Sequence, residues 1–324
     1  MGTKVEMHAD DATYRAMLAD DVRRGLTNRP WSLPPKYFYD AAGSRLFERI
    51  TELPEYYLTR VEEGLLPRVA RELARHLTPD EIVELGPGSC RKARRLLDAL
   101  EPSREMRYLP VDIDRHALAR VVASLTAEYP FLRVHAVVGD FERHLDRVPP
   151  AKGCRLVLLL GSTIGNFEPP GRRVLLAQLR DILGPEGRLL LGVDLVKSRE
   201  LLEAAYNDSA GVTCEFNRNI LRVVNRALDG NFRPEAYRHH AFYHAEASRI
   251  EMHLIATIPQ RVELRRLGLT LDVIKGDDIW TENSYKFTHE STEAMLASAG
   301  LMIERWYTDE ARRFGLALAR AVSA

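Results

Sequence analysis

The chain has 324 residues, 45% of them hydrophobic, and carries 46 basic and 46 acidic residues. This length and composition allow a large buried core, which argues against a disordered protein. Because the charges balance, we expect no nucleic acid and no anionic membrane as a partner, and a small molecule is the better candidate for a ligand. No obligate protein partner is predicted.

The cysteines and the N-terminal segment indicate the compartment. Cys90, Cys154 and Cys214 are widely spaced and odd in number, which fits neither a disulfide framework nor a paired-thiol metal site. Residues 1–15 lack the apolar core of a signal peptide, and the longest apolar run, 156–160, is too short to span a bilayer. We therefore expect a soluble cytoplasmic protein.

The first sixty residues predict an amphipathic helix over 10–26, followed by an irregular, aromatic-rich segment over 31–60. Such a segment can serve packing alone, or it can line a pocket for a small amphipathic ligand. Thr59-Arg60-Val61-Glu62 has the form of a capping box and predicts that a helix begins there.

A regular alternation of apolar strands and amphipathic helices follows. Predicted strands are 81–85, 106–111, 133–138, 155–160 and 188–195, and the predicted helices between them are 92–100, 115–129 and 171–183. Continuous apolar strands that alternate with helices predict βαβ units and a doubly wound α/β sheet that is covered on both faces.

The alternation stops between residues 197 and 286, where the sequence is rich in Asn, and we interpret this stretch as an inserted or appended subdomain. Only short strands are predicted there, at 249–258 and 269–274. Beyond it, a helix over 288–299 and two strands predict a terminal helix and an antiparallel hairpin that complete the same sheet. Those strands are 302–307 and 314–322.

The strongest local signal is Glu84-Leu85-Gly86-Pro87-Gly88-Ser89, between a predicted strand and a predicted helix. Glycines there let the backbone turn sharply and approach a ligand, while the next helix presents free N–H groups. A dinucleotide fingerprint needs a third glycine at position 91, which is Arg91, so that fingerprint is incomplete. Taken alone, the two glycines also fit a simple turn.

Acidic residues follow the next two predicted strands. Asp112 suits a carboxylate that accepts hydrogen bonds from ribose hydroxyls, and Asp140 with Phe141 suits the amino group and the ring face of adenine. Each acid alone could equally be a helix cap or a loop residue. A glycine loop, a ribose carboxylate and an adenine site in successive βα turns match S-adenosylmethionine better than a dinucleotide.

The fourth predicted strand leads into the loop 161–167, at the carboxyl edge where α/β folds place reacting ligands. Asn166 offers both a donor and an acceptor there, although an Asn after Gly can also be a plain turn residue. We include Gly161, Thr163 and Asn166 in the candidate substrate site.

Longer motifs are more specific. They are Ser-Leu-Pro-Pro-Lys-Tyr-Phe-Tyr-Asp (32–40), Leu-Pro-Glu-Tyr-Tyr (53–57), Gly-Ser-Thr-Ile-Gly-Asn (161–166), Phe-Asn-Arg-Asn (216–219) and Arg-Ile-Glu-Met (249–252). From about Ser32 to Leu318 the chain resembles the L-histidine Nα-methyltransferases of ergothioneine biosynthesis. The resemblance implies a class I methyltransferase (Rossmann-like) α/β fold and S-adenosylmethionine-dependent trimethylation of the α-amino group of L-histidine to give hercynine.

The resemblance also implies two domains and a set of site residues. The methyltransferase domain would span 61–196 and 287–324, and a histidine-binding domain would span 8–60 and 197–286. Residues implied to surround S-adenosylmethionine are Tyr39, Gly86, Lys92, Asp112, Asp140, Phe141 and Ser162. Residues implied to hold the amino-acid part of histidine are Tyr56, Asn166 and Tyr206, and those implied around its imidazole are Met252, Glu282 and Ser284.

The chemistry of these residues agrees with the implied roles. Glu282 and Ser284, at i and i+2 on one strand, can bind both imidazole nitrogens. Tyr39 and Phe47 provide aromatic walls that tolerate a growing quaternary cation. Tyr39 and Asn166 are the candidate catalytic residues at the amine, and no metal is required.

Four alternatives remain open at this point. His240 and His244 could chelate zinc as a pair at i and i+4, with Glu246 or His253 nearby. The basic residues between Arg91 and Arg95 could contact phosphate or RNA. A dehydrogenase is disfavoured by Arg91, and an N-methyltransferase for another aromatic amino acid such as tryptophan is disfavoured by Glu282.

Overall fold

The computed structural model of the protein describes residues 4–8, 10–100 and 105–322. The strands are β1 Lys4–Met7, β2 Trp31–Ser32, β3 Glu81–Leu85, β4 Met106–Asp112, β5 Leu132–Val138, β6 Arg155–Leu159, β7 Arg188–Asp194, β8 Tyr237–His244, β9 Arg249–Ala256, β10 Gln260–Leu264, β11 Leu269–Val273, β12 Asp278–Tyr285, β13 Leu301–Thr308 and β14 Phe314–Ala321. The α-helices are α1 Asp11–Thr27, α2 Ala41–Glu52, α3 Tyr57–His76, α4 Arg91–Leu100, α5 Arg115–Glu128, α6 Pro169–Leu183, α7 Arg199–Ala204, α8 Val212–Leu228 and α9 His289–Ala297.

The chain forms two compact units. The first unit comprises the described residues of Met1–Ala9, Leu58–Val196 and Lys286–Ala324. The second unit comprises Asp10–Tyr57 and Lys197–Tyr285. The polypeptide therefore leaves the first unit twice and returns to it twice.

The first unit is built on an eight-stranded sheet with the order β1-β5-β4-β3-β6-β7-β14-β13. Strands β1 and β3 to β7 pair in parallel, whereas β14 pairs antiparallel with β7 and with β13. The predicted α/β sheet and its terminal antiparallel hairpin are confirmed. The predicted strands and helices between residues 81 and 195 lie within two residues of the observed ones.

The edge strand β1 was not predicted from the sequence. Residues 4–7 are mostly exposed, so they carry no apolar alternation that would have indicated a strand. Their backbone nevertheless pairs with β5, with Val5 opposite Ala136. Residues 1–3 of the polar N-terminal segment lie outside the described residues.

The second unit contains a four-stranded sheet, β2-β12-β9-β8, the hairpin β10-β11, and helices packed beside them. The long helix α8 was not predicted, since only short strands were expected in this stretch and its asparagines have a weak helix propensity. Their amides are used in the core instead: Asn219 donates to Phe38 O at 3.2 Å, and Asn225 donates to Phe232 O at 2.8 Å. These tertiary hydrogen bonds outweigh the weak helix propensity.

Two further expectations were wrong. The segment 31–60 is not irregular throughout, because α2 begins after Asp40, whose carboxylate accepts a hydrogen bond from Gly43 N at 2.8 Å. Thr59 is not a helix cap, because α3 already begins at Tyr57 and Glu62 points its carboxylate at Gly161 N rather than at the start of its own helix.

Among the described residues, no helix is both long and apolar enough to cross a membrane.

Candidate functional site

The loop between β3 and α4 needs its glycines for backbone conformation. Gly86 and Gly88 have φ values of 65° and 54°, in the left-handed region that side chains disfavour. A Cβ atom placed on either glycine would meet no atom within 4 Å, so the loop has an open side. A glycine turn with free space beside it, directly before a helix, allows the close approach of a ligand, as the sequence predicted.

Asp112 ends β4, the strand beside β3. Its Oδ1 accepts a hydrogen bond from Asp114 N at 3.0 Å, which fixes the carboxylate at the carboxyl edge of the sheet. Burial is the main cause that raises the pKa of Asp112 to about 6. At neutral pH the ionised carboxylate can therefore accept hydrogen bonds from ligand hydroxyls.

The loop after β5 places Asp140 and Phe141 one strand further along. Asp140 is buried and accepts a hydrogen bond from Glu142 N at 2.9 Å, and Phe141 lies 6.4 Å from the ring of Phe167. His144 packs beneath this loop, with Nδ1 3.1 Å from Asp140 N. The successive turns at one edge of the sheet thus carry the predicted glycine loop, the carboxylate of Asp112 and the pair Asp140 and Phe141. This combination of groups fits S-adenosylmethionine.

The loop after β6 is tightly wound. Ser162 has a φ of 58°, and its hydroxyl accepts a hydrogen bond from Asp194 N at 2.9 Å, which fixes the side chain against the end of β7. Thr163 donates to Leu160 O at 2.9 Å and starts a 3-10 turn that ends at Asn166. Asn166 is half-buried at the end of that turn.

A residue that the sequence analysis missed joins two of these parts. Glu62 on α3 is 0% exposed, yet its carboxylate lies 2.6 Å from the ammonium of Lys92 and accepts a hydrogen bond from Gly161 N at 2.8 Å. The sequence analysis interpreted Glu62 only as part of a capping box and so did not predict these contacts. The signal available in the sequence was an acidic residue on the apolar face of an amphipathic helix. Ionised side chains are rarely buried without partners, so such a residue indicates a buried partner.

Glu84, in the glycine-loop motif, is also buried. It accepts a hydrogen bond from Tyr108, whose hydroxyl lies 3.1 Å from the thiol of Cys90. Burial is the main cause that raises the pKa of Glu84 to about 7. This chain of polar groups lies behind the glycine loop and fixes its start.

Aromatic residues of the second unit form a continuous cluster. The ring of Tyr39 meets Phe47 edge-on at 5.6 Å and Phe216 at 5.5 Å, and Phe47 meets Tyr56 at 6.1 Å. Tyr56 in turn lies 6.5 Å from Tyr206. Phe216 was not among the predicted site residues, since a lone Phe in an Asn-rich stretch gives no pattern.

The cluster continues onto the sheet of the second unit. Tyr206 donates to the hydroxyl of Ser284 at 2.7 Å, and its carbonyl lies 2.8 Å from Nε2 of His239. Burial lowers the pKa of His239, which favours the neutral ring. Glu282 lies directly opposite Met252 on the neighbouring strand, so the two side chains share one face. The second unit therefore brings together the predicted residues Phe47, Tyr56, Tyr206, Met252, Glu282 and Ser284.

The zinc alternative loses its geometric basis. His240 and His244 lie on the strand β8, where four residues span about 13 Å, rather than on a helix. His253 is held by Asp278 at 2.8 Å. Among the described residues, no group of three or more His, Cys, Asp or Glu side chains is arranged to hold a metal ion.

The basic helix α4 is largely neutralised within the protein. Arg91 pairs with Glu63, and Arg94 pairs with Glu128 at 2.8 Å. Together with the pair between Lys92 and Glu62, these contacts account for most of its charge. An RNA-binding role gains nothing from this arrangement.

Comparison with known proteins decides the class of the enzyme. Residues 18–321 match the family described as histidine-specific methyltransferase, SAM-dependent. The chain belongs to this family. The S-adenosylmethionine-dependent methyltransferase predicted from the sequence is thereby confirmed, and family membership and the mixed α/β sheet together confirm the class I methyltransferase fold.

Individual relatives of this chain agree with its membership of the histidine-specific methyltransferase family. The chain is 48% identical over 303 residues to a histidine N-alpha-methyltransferase of Mycolicibacterium smegmatis, covering 93% of this chain and 94% of that protein. It is 44% identical over 320 residues to the histidine N-alpha-methyltransferase of Mycobacterium tuberculosis, covering 98% and 99%. It is 31% identical to ergothioneine biosynthesis protein 1 of Neurospora crassa, covering 86% of this chain and 32% of that protein.

Proposed function

We propose that this enzyme transfers three methyl groups to the α-amino nitrogen of free L-histidine and so produces hercynine for ergothioneine biosynthesis. The names of the mycobacterial and fungal relatives support the substrate and the pathway. The observation that carries the proposal is the shared face of Met252, Glu282 and Ser284, with Tyr206 bonded to Ser284. A carboxylate and a hydroxyl beside an apolar wall suit a flat ring with two polar nitrogens.

In this proposal the first unit holds the methyl donor. The nucleoside of the donor would be contacted by Gly86, Asp112, Asp140 and Phe141. The amino-acid part of the donor would lie near Lys92 and Ser162. Tyr39 is assigned to the donor as well. S-adenosylmethionine supplies an activated methyl group when bound. The protein therefore has to position the amine for in-line displacement rather than supply a strong base.

The second unit is proposed to bind histidine. Tyr56 and Tyr206 would hold the amino-acid part, and Met252, Glu282 and Ser284 would surround the imidazole. Asn166, with Gly161 and Thr163 beside it, is assigned to the amine, where an amide oxygen can accept from N–H groups. Phe47 and Tyr39 would face the methylated nitrogen, since aromatic faces attract a quaternary cation.

A direct assay tests the proposal. The enzyme is incubated with isotopically labelled S-adenosylmethionine and each of the twenty amino acids separately, and the products are weighed by mass spectrometry. Histidine should gain three methyl groups and the other amino acids none. A product from tryptophan but not from histidine would overturn the substrate assignment, and a product methylated on the imidazole would overturn the assigned position.

A further inference from the structure

Strand β12 contains a bulge beside the proposed histidine site. Trp280 pairs with His253 and Glu282 pairs with Met252, so two steps along β12 match a single step along β9. Thr281 is the extra residue, without an opposite number on β9. A bulge of this kind shifts the alternation of side chains along the bulged strand.

The shift decides which face Glu282 and Ser284 occupy. On a regular strand the side chain of Glu282 would point to the same face as Trp280, since residues at i and i+2 share a face. With the extra residue, Glu282 and Ser284 lie opposite Met252 and Ile250 and share their face. A one-residue change of register moves every following side chain to the other side of the sheet.

The two faces of this sheet differ in chemistry. On the face of Trp280, His253 stacks against that indole ring at 5.9 Å and against Phe242 at 5.5 Å. On the face of Met252, helix α8 packs against the strands and Tyr206 reaches Ser284. Without the bulge, Glu282 would therefore face a stacked aromatic row and would leave the side of Met252 and Tyr206.

Thr281 is held in place by a buried residue of α8. Thr281 is 1% exposed, and its hydroxyl lies 2.7 Å from Oδ1 of Asn217 and 3.0 Å from the carbonyl of Met252. Asn217 is 0% exposed and uses its amide nitrogen on His253 O, at 3.1 Å, and on Nδ1 of His239, at 2.9 Å. One amide thus holds the bulge of β12 together with β9 and β8.

We propose that Thr281, held by Asn217, is a positioning residue that sets imidazole selectivity by keeping Glu282 and Ser284 on the face of Met252. Thr281 itself touches no substrate in this scheme. The inference rests on the proposed function, because it assumes that Glu282 and Ser284 bind the ring. It adds two residues, Thr281 and Asn217, to those that determine which amino acid the enzyme accepts.

The test measures binding of histidine by calorimetry in the presence of saturating S-adenosylhomocysteine. Thr281→Val keeps the shape of the side chain and removes its hydroxyl, so it should weaken histidine binding about tenfold, the effect of one lost buried hydrogen bond. Thr281→Ser restores the hydroxyl and should bind within about twofold of the wild type. Thr270→Val, the same change at an exposed position of β11, is the matched control and should have no effect.

A double-variant comparison separates positioning from general destabilisation. In a Glu282→Ala/Ser284→Ala background, Thr281→Val should weaken histidine binding no further, because the groups that it positions are already absent. An equal loss in both backgrounds, or unchanged affinity of Thr281→Val, would overturn the proposal. If the valine variant does not fold, Thr281→Ala carries the same expectations, since the smaller side chain cannot clash.

The same series distinguishes failure of this inference from failure of the proposed function. If Glu282→Ala alone leaves histidine affinity unchanged, the assigned site is wrong, whatever Thr281 does. If Glu282→Ala weakens histidine binding but Thr281→Val does not, the site stands and the bulge is not what sets it.

Discussion

Lys92 and Glu62 form an ion pair in which Nζ lies 2.6 Å from Oε2, although Glu62 is completely buried on another helix. The same carboxylate accepts hydrogen bonds from Gly161 N at 2.8 and 3.0 Å. Gly192 leaves room for it, because a Cβ there would lie 2.3 Å from Oε1 of Glu62. One acid therefore ties α4, the loop after β6 and the middle of β7 together.

Replacing Glu62 should destabilise the protein. Glu62→Ala removes the acceptor of both the Lys92 ammonium and Gly161 N, and should lower the free energy of unfolding by about 2 to 3 kcal/mol, a range that allows for the partial exposure of Lys92. Glu62→Gln keeps an acceptor for Gly161 N and should cost about half as much. Urea denaturation measures both, with exposed Arg95→Gln on α4 as the control. Equal stability of Glu62→Ala and this control would contradict the role.

Asp112 should give the affinity for S-adenosylmethionine a characteristic dependence on pH. Burial raises the pKa of Asp112 to about 6, so the carboxylate proposed to accept hydrogen bonds from the ribose hydroxyls is ionised above that pH and is protonated below it. Binding through Asp112 should be constant above pH 7 and about fourfold weaker at pH 5.5. Asp112→Ala should lose about 2 to 3 kcal/mol of binding at pH 7.5.

Comparison with Asp112→Asn isolates this dependence. The amide keeps an acceptor for Asp114 N but does not titrate, so calorimetric affinities of this variant should lack the fourfold fall. Glu84, with a pKa of about 7, titrates in both proteins, and its pKa should be lower in Asp112→Asn because the charge of Asp112 is one of the causes that raise it. Parallel curves for the wild type and Asp112→Asn would remove Asp112 from the ribose site.

Local sequence could predict the first unit well, for physical reasons. Continuous apolar segments such as 156–160 are typical of parallel strands that helices cover on both faces, so they indicate where those strands lie in the chain. The turn at Gly86 and Gly88 requires backbone angles that only glycine adopts easily. The positions of Asp112 and Asp140 could also be predicted, because the residues that follow parallel strands lie at one edge of the sheet.

Contacts distant in sequence could not be predicted. Glu62 and Gly161 are 99 positions apart, and nothing local to either residue indicates the other. The bulge at Thr281 depends on Asn217, 64 positions earlier, in a helix that the sequence analysis did not predict. Such features arise from tertiary hydrogen bonds that override local propensity.

The pair Glu282 and Met252 should control which ring is accepted. They lie directly opposite each other on β12 and β9, so Glu282→Ala with Met252→Val would remove the proposed anionic partner of the imidazole and enlarge one proposed wall of its site. We expect kcat/KM for histidine to fall at least about thirtyfold, and tryptophan to become a measurable substrate. Asn283→Ala, on the same strand but the opposite face, is the control. A double variant with the selectivity of the wild type would show that other residues bind the ring.

The proposed role of Tyr39 predicts that this residue influences how far methylation proceeds. Its ring meets Phe47 and Phe216 edge-on at 5.6 and 5.5 Å, so Tyr39→Phe should keep both ring contacts and delete only the hydroxyl. In the proposed site that hydroxyl accepts a hydrogen bond from the protonated amine and so helps to align it with the methyl donor. Dimethylhistidine in its charged form has a single N–H, so it depends on this acceptor more than histidine does.

Tyr39→Phe should therefore weaken dimethylhistidine binding by about 1 to 2 kcal/mol while histidine binding changes less. Partly methylated species should then escape before the third transfer, and mass spectrometry of products at limiting turnover would detect them. Phe47→Leu is the matched comparison, because it alters the same aromatic cluster without touching a hydroxyl and should slow the reaction without releasing intermediates. If Tyr39→Phe is slower but releases only the trimethylated product, then Tyr39 contributes packing alone, and the acceptor that completes trimethylation lies elsewhere.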